Sequence, residues 1–67
     1  MESVEIFEGR DSVGDSMWMS RWSDTEVRDL FGTDVLPTAY RTSTPLETVL
    51  QKIRGLNPGC VVTATVR

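Results

Sequence analysis

The chain contains no histidine and a single cysteine, Cys60. Without imidazole there is no His-based triad, and the commonest transition-metal ligand is missing. One thiol closes no intramolecular disulfide and holds no structural zinc by itself. Long apolar runs are absent too. The longest are three residues, such as Met17-Trp18-Met19 and Cys60-Val61-Val62, far short of the roughly 20 that cross a bilayer as a helix. The opening Met1-Glu2-Ser3-Val4-Glu5 is acidic and Arg10 is the first base, unlike the basic start of a secretory signal. With a lone cysteine, these features lead to the expectation of a cytoplasmic chain that makes no membrane contact.

Positive charge is scarce as well. Seven Lys and Arg stand against ten Asp and Glu, for a net charge of −3. A phosphate backbone rewards clustered positive charge, so nucleic acid is not an expected partner. The charge is also divided along the chain. Residues 1–34 hold nine acids and three arginines, and residues 35–67 hold one acid and four bases. Arg41, Lys52 and Arg54 are the main basic group, with Arg10 and Arg67 as outlying candidates; a solvated helix end accounts for them.

What remains is an ordinary globular composition, 39% hydrophobic and 25% charged over 67 residues, enough for a single domain spanning residues 1–67. A domain this short buries only about 60% of its unfolded surface. With no disulfide or metal to compensate, self-association is the expected remedy, as a homo-oligomer and in the simplest case a dimer.

Local patterns divide the chain into elements. Thr44-Pro45-Leu46-Glu47 reads as a capping box with proline at the first helical position. Leu46, Val49, Leu50 and Ile53 follow with helical spacing, predicting a helix over 45–54 closed by Gly55, with Leu56 folding back onto the stripe. A shorter helix is predicted over 24–31, capped by Ser23 with Glu26, stapled by Trp22 onto Val27 and ended by Gly32. Its Val27, Leu30 and Phe31 share a face, which predicts a lid on a sheet.

Val61 to Val66 is β-branched almost throughout and predicts a strand with Cys60, Val62, Ala64 and Val66 inward. Val4 to Phe7 predicts another, with Val4 and Ile6 inward. Ser16 to Trp22 admits helix or strand; the strand is favoured, pairing with the first across the Gly9–Asp15 loop. That strand sets Trp18, Ser20 and Trp22 on one face and Met17, Met19 and Arg21 on the other. Leu36 to Arg41 adds a short extended piece, since Pro37 biases its neighbour towards extended geometry. The order is β-β-α-(β)-α-β. The expected fold is α+β, a three- or four-stranded mainly antiparallel sheet with both helices on one face.

Little in the sequence suggests chemistry. Gly9-Arg10-Asp11-Ser12-Val13-Gly14-Asp15-Ser16 has the spacing of a phosphate-binding loop, but Asp15 stands where lysine must neutralise the phosphates. No nucleotide is expected, nor any other cofactor. Glu8, Asp11 and Asp15 form an acidic loop whose spacing does not match a calcium-binding loop. Cys60 lacks a histidine base and reads as a small core residue. Met17, Trp18 and Met19 form a candidate partner-binding patch, because aromatic residues and methionine are enriched at interfaces; a core position for Trp18 is the competing reading.

The expected function is therefore a small non-catalytic protein-interaction or regulatory module that self-associates. Two alternatives are an acidic inhibitor mimicking nucleic acid through Glu2, Glu5, Glu8, Asp11, Asp15, Asp24 and Asp29, and a small enzyme or enzyme subunit using carboxylates.

Overall fold

The computed structural model describes residues 2–65. Val66, expected on the inward face of the last strand, and Arg67 lie outside the described residues. The elements are β1 (Ser3–Arg10), β2 (Ser16–Trp22), α1 (Thr25–Phe31), β3 (Val35–Arg41), α2 (Leu46–Leu56) and β4 (Val61–Thr65). The fold is α+β: the four strands form one sheet in the order β3-β2-β1-β4. The β1–β2 and β2–β3 pairs are antiparallel, and β1–β4 is parallel. The two edge strands β3 and β4 therefore run the same way, and α2 is the crossover between them.

The β1–β2 hairpin is set by its turn. The Asp11 carboxylate accepts the amides of Val13 and Asp15 at 3.1 and 2.9 Å. The Asp11 amide donates to the Asp15 carbonyl at 3.0 Å, and Gly14 takes the positive φ of 91° that the turn requires. This closure fixes the register Val4↔Trp22, Ile6↔Ser20 and Phe7↔Met19. Ser16–Trp22 is thus a strand paired with β1 as the alternation suggested, but the connecting loop is only residues 11–15, because Gly9 and Arg10 extend β1 and pair with Met17 and Ser16.

One face of the sheet carries the core. Val4, Ile6, Trp18 and Val62 meet Val49 and Ile53 of α2, with Leu46, Leu50, Trp22 and Tyr40 packed around them. Buried polar groups here are paired, as an apolar setting demands. Ser20, 3% exposed, donates to the Leu36 carbonyl at 2.8 Å and accepts the Trp22 indole N–H at 2.9 Å. The Trp18 indole donates to the Thr44 carbonyl at 2.9 Å.

β3 carries a bulge opposite Trp18. Pro37 pairs with Met19 and Arg41 with Met17, so three β3 residues face one on β2. Ala39 has φ 71°, which costs a non-glycine residue about 1–2 kcal/mol. Thr38 holds the bulge: its hydroxyl donates to the Trp18 carbonyl at 2.7 Å and accepts the Tyr40 amide at 3.2 Å.

Several local expectations change. α2 starts after Pro45, with no side-chain cap. Thr44 does not form the capping box, since its amide is turned to the Arg41 carbonyl and its own carbonyl holds Trp18. The helix runs through Gly55 to Leu56 and ends at Asn57, whose amide and side-chain N–H both reach the Ile53 carbonyl. Leu56 is 78% exposed instead of folding back.

At α1, Asp24 is the cap, accepting the Glu26 amide at 2.9 Å, while Ser23 instead accepts the Ser3 amide. Gly32 ends α1 at φ 75° as expected. No α1 residue is buried: Val27 is half-buried, and Leu30 and Phe31 are exposed. Of the residues expected inward at the last strand, Val62 is buried, Ala64 is exposed, and Cys60 precedes β4, half-buried against the core.

Candidate functional site

Because strand side chains alternate, the residues between the core positions emerge on the other face of the sheet. There β1 contributes Glu5, Phe7 and Gly9, β2 contributes Met17, Met19 and Arg21, β3 contributes Val35 and Pro37, and β4 contributes Thr63 and Thr65. The buried residues of α2, Val49 and Ile53, belong to the core cluster on the opposite face, and α1 buries nothing. Among the described residues, no helix packs across this second face; α1 only reaches its end, where Arg28 lines a depression with Glu5, Arg21 and Thr63.

Its centre is the cross-strand pair Phe7 and Met19, flanked by Met17, all half-buried. Met19 spreads over Gly9, where a β-carbon would stand 2.6 Å from the Met19 Cγ. The missing side chain at position 9 is what lets this methionine lie down on the sheet. One end of the patch is polar. The Arg21 guanidinium lies 5.1 Å from the Phe7 ring centroid, and its Nη1 is 3.4 Å from Glu5 Oε1. The other Glu5 oxygen accepts the Thr65 hydroxyl at 2.6 Å. Both Glu5 oxygens are thus engaged around a shallow depression of about 250 Å³ lined by Glu5, Phe7, Glu8, Arg21 and Thr65.

The residues singled out in the sequence are not all gathered here. Met17 and Met19 lie on the uncovered face. Trp18, between them, points the other way; it is 7% exposed and held by Thr44. The expected three-residue patch is therefore two residues plus Phe7, because strand neighbours alternate.

The acidic trio is dispersed. Glu8 lies on β1 and lines the depression with Glu5, away from the turn that holds the other two. Asp11 is occupied by turn amides, and Asp15 Oδ2 lies 3.8 Å from Arg41 Nη2. Among the described residues no three His, Cys, Asp or Glu side chains gather where they would hold a metal ion. The further acids of the expected mimic also separate, with Asp24 capping α1 and Asp29 on its surface. The Cys60 thiol lies 3.8 Å from the Val61 carbonyl.

Sequence reasoning missed Phe7, Glu5 and Thr65 as members of this face. The hairpin register was a usable signal: centring the turn on Val13 sets Phe7 opposite Met19 and Glu5 opposite Arg21. Thr65 had no such signal, because its neighbour is fixed by a parallel pairing nearly sixty residues away in sequence. Comparison with protein-family models, with curated proteins and with solved structures finds no match to this chain.

Proposed function

We propose that the protein is a non-catalytic interaction module that self-associates through the uncovered face of its sheet. One observation carries the reading: Phe7, Met17 and Met19 stand together on a strand surface that neither helix covers. Apolar side chains grouped at a surface and only half-buried there mark contact sites. The rim is electrically balanced. Glu5 pairs with Arg21 and Asp15 with Arg41, so the net charge of −3 does not concentrate on this face. A second copy meets no like-charge barrier there. Further support comes from the carboxylates, since Glu5, Asp11, Asp15 and Asp24 are each committed to a structural partner.

Size-exclusion chromatography with light scattering tests the reading. The wild-type mass is expected to rise above 7.5 kDa as concentration increases through the micromolar range. Met19→Asp should hold it at 7.5 kDa with an unchanged circular dichroism spectrum. Phe31→Ser, which removes an exposed aromatic from α1, should associate like wild type. A wild-type chain that stays at 7.5 kDa throughout, or association lost with Phe31 and kept in Met19→Asp, overturns it.

A further inference from the structure

We infer that two copies meet face to face about a two-fold axis running along the strands, midway between β1 and β2. This rests on the reading of the uncovered face as a self-association surface. The sheet order β3-β2-β1-β4 puts two strands on each side of that line. A half-turn about it keeps every residue at its height along the strands while exchanging β1 with β2 and β4 with β3. The register within one sheet therefore states what each residue meets in the other copy.

The matches are complementary. Glu5 is level with Arg21, so each Glu5 faces the partner's Arg21. Phe7 is level with Met19 and meets the partner's Met19. Gly9 is level with Met17, so the Met19 side chain that lies over Gly9 comes against the partner's Met17. On the outer strands, Thr63 is level with Glu5 and Val35 with Arg21, so Thr63 meets the partner's Val35. By the same reasoning Thr65 meets the partner's Pro37. Opposite charges face each other, apolar side chains face apolar side chains, and the contact is isologous and closes as a dimer.

The competing two-fold runs across the strands at the level of Phe7 and Met19. It stacks each strand on itself, which sets Glu5 over the partner's Gly9 and Arg21 over the partner's Met17. Both charges then lose water without gaining a partner in the other copy, which is costly.

Four strands at about 4.8 Å spacing, some 20 Å long, give a footprint of roughly 400 Å² per copy. Standard interfaces bury about 800 Å² of accessible surface per partner. The dimer is therefore at the small end, with dissociation on the order of micromolar or weaker.

Charge reversal tests the arrangement. Glu5→Arg would set two guanidinium groups against each other across the interface, since the substituted position faces the partner's Arg21. Arg21→Glu would likewise set two carboxylates together, against the partner's Glu5. Each variant alone should dissociate at least about tenfold more readily than wild type. An equimolar mixture should restore wild-type association as a heterodimer, because both cross-copy contacts become like-charge pairs only within each homodimer and are relieved when the acidic variant meets the basic one. Glu5→Arg shifts the net charge of −3 by +2 and Arg21→Glu by −2, so both variants stay net acidic and long-range attraction between them does not imitate this result. The side chains are 37% and 55% exposed, which suits charge reversal.

If circular dichroism shows either single variant unfolded, the double swap Glu5→Arg with Arg21→Glu in one chain carries the test. It should self-associate like wild type, and a monomeric, folded double swap overturns the arrangement. Wild-type association with no recovery in the mixture overturns the axis and leaves the interaction reading standing. A wild-type chain that never associates overturns both.

Discussion

Met19 lies flat across Gly9, with the Met19 Cγ 2.6 Å from where a β-carbon at position 9 would stand. The consequence reaches beyond the pair. Lying down, the methionine adds to a level apolar surface with Phe7 and Met17; displaced, it stands up and breaks that surface. Gly9→Ala should therefore lower stability by about 1–3 kcal/mol through overpacking and weaken self-association severalfold. Urea denaturation and sedimentation equilibrium measure the two effects separately.

Ser20 is the polar link inside the core, between the Trp22 indole and the Leu36 carbonyl. Ser20→Ala leaves the indole N–H without its partner and should cost about 1–3 kcal/mol. The denaturation midpoint and a shift in tryptophan emission report it, while association per folded molecule stays at the wild-type level.

Ile6 is fully buried beneath α2, and Leu30 on α1 is 78% exposed. Ile6→Ala should cost about 2–5 kcal/mol, a large part of the roughly 3–10 kcal/mol a domain of this size holds. Leu30→Ala should stay within about 0.5 kcal/mol. Thermal melts of the two variants side by side check the contrast.

The caps separate the two helices. Asp24→Ala removes the side chain that holds the Glu26 amide and should cost about 1 kcal/mol. Thr44→Ala should cost less than about 0.5 kcal/mol, since α2 has no side-chain cap and the Thr44 carbonyl that holds Trp18 is backbone. Comparable losses in the two variants, read from urea denaturation, would contradict the assignment.

These caps show what the sequence could and could not convey. Alternation along Ser16–Trp22 revealed which side chains share a face, and the polar loop before it revealed the hairpin. The stripe Leu46-Val49-Leu50-Ile53 revealed α2 and its buried side. Those signals are local and periodic, so they survive without coordinates. The Thr44 capping box did not form because a tryptophan 26 positions earlier takes the Thr44 carbonyl, and no window around residue 44 contains that fact. Trp18 belonged to the core for a similar reason: which side of β2 is inside depends on where α2 docks. Among the residues of the uncovered face, Met17, Met19 and Arg21 were legible together. Phe7 and Glu5 needed the hairpin register, and Thr63 and Thr65 needed a parallel pairing that only the folded chain specifies.

Self-association through the bare side of the sheet is tested most directly by amide chemical shifts, followed by NMR over a dilution series. Shifts should move together with concentration at Glu5, Phe7, Met17, Met19 and Arg21, while Leu30, Phe31 and Leu56 stay unmoved. Shifts that ignore concentration everywhere, or that move at α1 and the end of α2 instead, would refute it.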